Sequence, residues 1–174
     1  MRYNKKAKKD ESGFTEMIAV RRKDREINDY SKIIEIINDC DCCRLGLVDN
    51  NEAYIIPMNF GYDVIDEHIL LYFHCANEGR KIDLLPKQSV VSFEMDTKHR
   101  LTKGNLGCDF SFLYQSVMGT GTVMEALNRD EKIYGLQKIM SHYTNKSQWE
   151  FDEKVLNATK VLKLSVSTLS CKEH

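Results

Sequence analysis

The stretch CRLGLVDNNEAYIIPMNF, residues 43–60, decides the fold class. It consists of two short apolar runs, 43–48 and 53–60, separated by the polar triplet DNN at 49–51. Apolar runs of this length around Asp and Asn residues are typical of two strands joined by a tight turn. Pro57 has no amide hydrogen to donate, so the second strand is expected at a sheet edge or a bulge. The stretch therefore predicts an antiparallel hairpin.

Further strands follow this hairpin along the chain. The polar residues 61–66 predict a turn, and 96–109, which contains two glycines, predicts a loop. In a long strand after that loop, Gly119 and Gly121 lie on one face, which indicates close approach by another backbone or a ligand. Four more segments are predicted to be strands from their apolar patterns: 69–73, 90–95, 110–125 and 161–166.

Two long helices and one short helix complete the predicted elements. The first covers 29–38, where apolar residues recur at helical spacing. The second begins at Asn128, with Glu131 placed to complete a capping box. The short one covers 77–85 and is stopped by Pro86. Because helices do not alternate with strands, the pattern favours an α+β domain built on a six-stranded antiparallel barrel over a doubly wound fold.

Length and composition indicate one soluble globular domain. The chain has 174 residues, of which 42% are apolar and 29% charged, so it can bury a core and is not a disordered chain. Lys and Arg total 25 and Asp and Glu total 26; the resulting net charge of −1 argues against a nucleic-acid-binding protein. No apolar run approaches the roughly 20 residues of a membrane-spanning helix. We therefore expect neither nucleic acid nor a membrane as a partner.

The N-terminus and the cysteines indicate a reducing compartment. Residues 1–20 are expected to form a flexible basic arm before a single domain over 21–174. No apolar segment of the secretory type follows the basic residues, so the expected localisation is cytoplasmic and the six cysteines are expected to be reduced thiols. The cluster at 40–43 has three cysteines but no second Cys-x-x-Cys pair to complete a tetrahedral site, so no metal is expected.

The stretch YFHCANEGRK, residues 72–81, carries the clearest chemical signal. A strand ends here and a short helix begins, with Arg80 and Lys81 in its first turn. Free first-turn amide groups stabilise a phosphate, to which Arg80 can add a bidentate contact and Lys81 a point charge. Adjacent Arg and Lys also occur on solvated surfaces, and the pattern alone leaves that interpretation open. The usual nucleotide-binding, esterase and zinc-protease motifs are absent from the sequence.

Four motifs occur in the order found in a known family. They are RKDRE at 22–26, IIPMNFGY at 55–62, FHCA-x2-GRK at 73–81 and SVMGTG at 116–121. Together they resemble the flavin-binding split β-barrel proteins related to pyridoxamine 5′-phosphate oxidase, and more narrowly the branch that includes the 5-nitroimidazole resistance proteins. The resemblance covers about residues 21–166. It implies a six-stranded split barrel, a homodimer, and flavin bound across the dimer interface, where the faces of Gly119 and Gly121 would pack closely.

The resemblance also implies roles for individual residues. Arg80 and Lys81 would hold the flavin phosphate, 57–59 would run along the isoalloxazine ring, and Ser116 would approach the flavin from a long interface strand. His74 matches a histidine of the nitroimidazole branch and is the candidate catalytic residue. Eight positions match cofactor-binding residues of the family: Pro57, Met58, Asn59, His74, Cys75, Arg80, Lys81 and Ser116.

The expected activity follows from the resemblance and from one departure. The oxidase proper carries a C-terminal Arg-x-x-Pro element, whereas the only prolines here are Pro57 and Pro86, so vitamin B6 oxidation is not expected. The resemblance implies a flavin-dependent oxidoreductase of the nitroimidazole or nitroaromatic reductase type, with a nicotinamide donor and a small-molecule electron acceptor. FMN is favoured over FAD because the Arg-Lys pair accounts for one terminal phosphate. A flavin carrier or sensor without turnover, and a haem-binding barrel with His74 as axial ligand, remain open.

Overall fold

The computed structural model describes residues 15–88, 90–144 and 146–174. Within these ranges one mainly antiparallel sheet carries helices on its outside and at one end. The strands are β1 (Glu16–Met17), β2 (Cys43–Asp49), β3 (Glu52–Met58), β4 (Phe60–Ile65), β5 (His68–Ala76), β6 (Val91–Thr102), β7 (Ser111–Glu125) and β8 (Thr159–Glu173). The helices are α1 (Tyr30–Asn38), α2 (Arg80–Leu84), α3 (Arg129–Tyr143) and α4 (Glu153–Asn157).

The predicted hairpin is confirmed as β2 and β3. The two strands pair in register from Cys43 opposite Met58 to Asp49 opposite Glu52. The connecting residues Asn50 and Asn51 take φ values of 48° and 69°, and positive φ at both central positions is the mark of the two-residue turns that match the twist of a hairpin. Strand β3, which contains the predicted edge proline, does lie at an edge of the sheet.

The sheet is curled into a split barrel by its connectivity. Its strand order is β3-β2-β6-β7-β8-β5-β4, with β1 added beside β8. Strands β3 and β4 therefore occupy opposite ends of the order, yet only Asn59 separates them in the chain. Because one residue spans only about 3.5 Å, the two edges must come together at this point. The predicted α+β antiparallel barrel is confirmed, with eight strands in the described ranges where six were expected.

The core fills the inside of this barrel and continues beneath α1. Phe60 and Phe73, which are directly opposite on β4 and β5, are completely buried. Helix α1 matches the predicted helix, and its N-cap Asp29 accepts hydrogen bonds from the amides of Ser31 and Lys32. One side of α1 is buried through Ile33, Ile36 and Ile37, which are at most 1% exposed. The apolar stripe read from the sequence therefore packs on the core.

Helix α3 packs closely on the outer surface of the barrel through one glycine of β4 and one of its own. A Cβ atom at Gly61 of β4 would fall on the backbone of Lys138, and one at Gly135 would meet the side chain of Val161. The start of α3 is capped as predicted, since Asn128 Oδ1 accepts from the Glu131 amide at 3.0 Å. The second half of the predicted capping box is displaced by one residue, because the Glu131 carboxylate accepts from the Leu127 amide. In the described ranges no helix is both long and apolar enough to cross a bilayer.

Two segments predicted as turn and loop are strands. Of residues 61–66, predicted as a turn, 61–65 belong to β4 and the turn itself lies at Asp66 and Glu67. The polar Asp63 of β4 is satisfied by Lys138 of α3 at 2.9 Å. The predicted loop 96–109 is wrong in its first half, because β6 continues to Thr102 in a hairpin with β7. In both cases the strand has at least one face that is not buried, and polar residues occupy that face. The sequence therefore lacks the apolar pattern of a strand, although the backbone still pairs with the neighbouring strand.

The predicted N-terminal arm begins outside the described residues but ends inside the fold. Residues 1–14 are not described, whereas Glu16 and Met17 pair with Thr168 and Leu169 of β8. Val20 is 8% exposed. The folded domain therefore starts no later than residue 15, and the boundary at residue 21 is corrected.

The two glycines of β7 are explained within one chain. A Cβ atom at Gly119 would collide with the Thr168 carbonyl and approach the Phe93 ring to 2.8 Å, and one at Gly121 would collide with the Ser165 carbonyl. The pairing with β8 shifts register between Thr120 and Gly121. The prediction of a close backbone approach is confirmed, but the neighbour is β8 of the same chain, so packing between subunits is not needed to explain these glycines.

We expect Gly61→Ala to lower the free energy of unfolding by about 1–3 kcal/mol, because the added methyl group meets helix backbone that cannot move aside. Gly46→Ala is the matched control in a strand, since its Cβ would make an ordinary 3.7 Å contact with Ser92, and a change within about 0.5 kcal/mol is expected. Chemical denaturation checks both. Equal small effects would show that α3 is not seated on β4 as described.

Candidate functional site

A cleft of about 440 Å³ opens where the two edges of the sheet come together. The crossing at Asn59 lies there beside the end of β5 and the start of β8, and α2 follows β5 after residues 77–79. Its lining residues are Pro57, Met58, Asn59, His74, Cys75, Ala76, Lys81, Ala158 and Thr159. Six of the eight positions predicted to bind the cofactor are therefore brought together, from three segments that are separate in the sequence.

Strand β5 presents two neighbouring side chains to the cleft in different ways. His74 is exposed, whereas Cys75 is 9% exposed, as expected for successive residues of a strand that point to opposite faces. In the described part of the chain no hydrogen bond holds the His74 ring, which leaves both of its nitrogens available to a bound molecule. His74 is thus placed to exchange a proton with a ligand.

The connection from β5 to α2 turns sharply at Gly79. This residue has φ 124° and ψ 165°, a conformation that residues with a side chain rarely adopt, and an added Cβ would meet nothing within 4 Å. The strain of the φ angle, not a lack of space, therefore requires glycine here. The turn sends the chain back so that Lys81, two residues later, lines the cleft.

Arg80 and Lys81, predicted as a pair on one phosphate, differ in their surroundings. Arg80 Nε donates to Asp49 Oδ2 at 2.7 Å, and Nη2 lies 2.7 Å from the same oxygen in an ion pair. The guanidinium lies 4.2 Å from the centre of the Tyr54 ring. It is therefore held against the β2–β3 hairpin, and only Lys81 lines the cleft. The positive charge nearest the cleft that is not already paired in the described structure is that of Lys81.

Ser116 does not line the cleft of its own chain. It lies on β7 opposite Asp96 and Lys172, three strands away from Pro57, which is about 14 Å across the sheet. Because paired residues point to the same side, Ser116 and Pro57 nevertheless share one surface of the sheet. We call this surface the outer face; it includes Ile55, Pro57, Arg44, Glu94, Asp96, Ser116 and Met118.

Burial makes Cys75 a poor nucleophile. Desolvation raises the pKa of its thiol, and the nearby Lys81 ammonium lowers it by less. The thiol is consequently protonated at neutral pH and contributes a small apolar wall to the cleft rather than a reactive group.

A larger cavity of about 640 Å³, which no sequence pattern predicts, lies between α3 and β4. Its polar side chains are largely committed within the protein: Lys138 pairs with Asp63, and the Gln137 amide exchanges two hydrogen bonds with the Trp149 backbone. His142 Nε2 donates to the Cys40 carbonyl at 2.8 Å, and burial lowers the pKa of its ring. The smaller cleft is the better candidate site, because its histidine and lysine are available to a ligand.

Comparisons with known proteins show the family and the fold of the chain. The family model described as pyridoxamine 5′-phosphate oxidase matches residues 29–173. The structure of a proposed 5-nitroimidazole antibiotic resistance protein from Bacteroides thetaiotaomicron VPI-5482 is 32% identical, with a TM-score of 0.74 over 85% of this chain and 86% of that chain. No curated protein sequence matches at a significant level.

Two more distant structures share the fold. A FAD and heme binding protein from Mycobacterium smegmatis is 18% identical, with a TM-score of 0.73 over 86% of this chain and 73% of that chain. A FAD-binding protein from Mesorhizobium loti is 16% identical, with a TM-score of 0.60 over 86% of this chain and 97% of that chain. At these identities the likeness concerns the architecture alone.

We expect alkylation of Cys75 by iodoacetamide to reach its full rate at a higher pH than alkylation of cysteine in a short peptide. The raised pKa leaves less thiolate at any given pH, so the rate profile moves upward in pH. Mass spectrometry of the peptide containing Cys75, with Cys75→Ser as the blank, gives the profile. A profile at or below that of the free peptide would contradict a buried thiol.

Proposed function

Because the chain belongs to the pyridoxamine 5′-phosphate oxidase family, we propose that the cleft beside Asn59 binds a flavin and that the protein is a flavin-dependent oxidoreductase. The observation that carries the proposal is the meeting of the backbone at 57–59, the available His74 ring and the Lys81 ammonium in one cleft. Its volume of about 440 Å³ lies in the range of about 300–1,000 Å³ usual for cofactor sites.

The residues of the cleft fit the chemistry of FMN. Lys81 offers a cation to a phosphate monoester, with Arg80 beside it in the sequence. Asn59 supplies amide donor and acceptor groups for a polar ring edge, while the buried Met58 and Cys75 give apolar contact. A bound flavin would supply the electron-transfer chemistry, and the protein would supply binding, orientation and a proton at His74.

The proposed electron acceptor is a nitroimidazole or a related nitroaromatic compound, reduced with electrons from a nicotinamide donor. Support comes from the 32% identity to the proposed 5-nitroimidazole antibiotic resistance protein. His74 is the candidate catalytic residue, because its ring is exposed at the cleft and unpaired within the described residues. A flavin carrier without turnover is the alternative.

We further propose that the protein works as a cytoplasmic homodimer that packs through the outer face. The cleft is open to solvent, so a single chain leaves a bound planar ligand partly exposed. On the outer face Arg44 already pairs with Glu94 at 2.9 Å and Asp96 at 2.7 Å, which leaves little unbalanced charge. Ile55 and Met118 on the same face are 63% and 48% exposed. A nearly neutral face with exposed apolar groups suits packing on a second copy of itself.

We expect the purified protein to bind FMN and Lys81→Ala to weaken this binding by about 10- to 100-fold, because one charge-assisted contact to the phosphate is lost. The control Lys87→Ala removes an exposed lysine that is not part of the cleft and is expected to leave the affinity unchanged. Riboflavin, which has no phosphate, should lose little affinity in either variant.

Fluorescence titration measures the affinities, and the absorption spectrum identifies the chromophore. Bands at about 370 and 450 nm indicate a flavin, whereas a Soret band would support the haem alternative. Equal loss of FMN and riboflavin in Lys81→Ala would contradict a phosphate contact, and absence of FMN binding by the unmodified protein would overturn the proposed function.

We expect His74→Ala to lower the rate of acceptor reduction at least about 10-fold while the FMN content changes little, because a proton-transfer group is lost without a cofactor contact. The comparison variant is His68→Gln at the other end of β5, where the ring contacts Ser165 and lies outside the cleft. Anaerobic stopped-flow reduction by NADH separates reduction of the flavin from its reoxidation by a nitroimidazole. Parallel loss of FMN and turnover would assign His74 to cofactor binding instead.

A further inference from the structure

A third cavity, of about 340 Å³, lies beneath the first two turns of α3, and we call it the Tyr72 cavity. Its lining comes from β5 and β8 below, from α3 above and from Ala126, which follows β7. Helix α3 meets the sheet at Gly135, where an added Cβ would come within 2.6 Å of Val161, and the cavity lies between this contact and the start of the helix. None of its lining residues lines the cleft beside Asn59, so it is a separate site.

Two tyrosine rings form walls of the Tyr72 cavity. Tyr72 of β5 and Tyr134 of α3 meet edge to face, with ring centres 5.8 Å apart and an interplanar angle of 73°. The Tyr134 hydroxyl donates to Asp63, and Lys138 Nζ lies 5.1 Å from the centre of the Tyr134 ring. These contacts hold the Tyr134 ring in place before a ligand arrives. An aromatic wall that is already ordered costs little conformational entropy on binding.

The floor of the Tyr72 cavity is buried but carries one polar group. Tyr72 is 5% exposed and Val161 is 1% exposed. Within the described residues the Tyr72 hydroxyl has no hydrogen-bond partner, yet its oxygen is not fully enclosed by protein. Burial raises the pKa of this phenol, so the hydroxyl stays neutral and can both donate and accept. The floor therefore suits a ligand that brings a polar group to the Tyr72 hydroxyl.

Charges of both signs stand at the rim of the Tyr72 cavity. Asp130 and Glu131 lie exposed in the first turn of α3, and the half-buried Lys163 lies opposite Tyr72 on β8. In the part of the chain that the structure describes, none of these three charged groups forms an ion pair, although all three line the same cavity. One Glu131 oxygen accepts from the Leu127 amide. Separated charges of opposite sign are complementary to a ligand that carries both.

We propose that the Tyr72 cavity binds a free aromatic amino acid whose ring carries a hydroxyl group, with L-tyrosine as the simplest example. Its ammonium group faces Asp130 and Glu131, and its carboxylate faces Lys163. Its ring lies against Tyr134 and Val161, and its hydroxyl reaches that of Tyr72. The volume of about 340 Å³ lies within the range of about 300–1,000 Å³ usual for small-molecule sites. This site is additional to the proposed flavin site and does not depend on it.

L-tyrosine and L-phenylalanine test the contact at the floor, because they differ only in the hydroxyl group. Ligand-observed NMR titration of the full chain without FMN measures both affinities. L-tyrosine is expected to bind with a dissociation constant below about 1 mM, and about 2- to 10-fold more tightly than L-phenylalanine, because it gains one hydrogen bond. In Tyr72→Phe this advantage should disappear. The control Tyr62→Phe removes a hydroxyl that donates to Asn38 outside this cavity and should preserve the advantage.

Two analogues of tyrosine test the charges at the rim. Tyramine lacks the carboxylate and 3-(4-hydroxyphenyl)propionate lacks the ammonium group, so each is expected to bind at least about 10-fold more weakly than L-tyrosine. Lys163→Met should weaken L-tyrosine by about 10-fold without weakening tyramine, whereas Asp130→Asn should weaken both. The control Lys154→Met removes an exposed lysine that does not line the cavity and should change neither affinity.

Three results would overturn the proposal. The first is no binding of L-tyrosine at about 1 mM. The second is an advantage of L-tyrosine over L-phenylalanine that survives in Tyr72→Phe, which would place the ligand elsewhere. The third is tyramine binding as tightly as L-tyrosine, which would make the cavity a site for organic cations. Because the titrations contain no flavin, their outcome is independent of whether the cleft beside Asn59 binds FMN.

Discussion

The constraint on which the structure depends is the single residue between β3 and β4. Met58 and Phe60, on either side of Asn59, are 8% and 0% exposed and belong to opposite edges of the sheet. The edges can meet only if the intervening strands curl, and the Phe60 amide, which faces the gap between the edges, donates to the Tyr143 hydroxyl at 3.1 Å. That hydroxyl donates in turn to the Asp41 carbonyl. The end of α3 thus completes the hydrogen bonding at the junction.

The contacts beside this junction explain why Lys81, and not Arg80, supplies the positive charge of the cleft. Arg80 is neutralised by Asp49 and stacked on Tyr54, so it fastens the start of α2 to the β2–β3 hairpin. An exposed ion pair of this kind contributes at most about 1 kcal/mol to stability, so its main effect is to fix the position of the Arg80 segment. With the backbone held there, Lys81 is directed at the cleft. One cation positions the segment and the next remains available to an anion.

The sequence could predict the parts of this arrangement that depend on neighbouring residues. The β2–β3 turn, the caps at Asp29 and Asn128 and the grouping of 57–59 with 74–81 follow from local chemistry or from motifs that the family shares. It could not predict β4, because the polar character of Asp63 is compensated by Lys138, which lies 75 positions later in the chain.

The positions of Arg80 and Ser116 depend on still more distant contacts. The partner of Arg80 is 31 positions away, and the place of Ser116 follows from the full strand order. Pairings across such distances leave no periodicity in a single sequence, so the site residues could be named while their geometry could not.

The core of the barrel and the end of the β6–β7 hairpin, residues 98–113, differ in how firmly they are held. The core of the barrel includes Leu45, Phe93 and Val117, all at most 3% exposed, so a change there alters the stability of the whole domain. The hairpin, by contrast, leaves Phe110 44% and Phe112 51% exposed. Substitutions there are therefore expected to alter the stability of the domain far less than substitutions in the core.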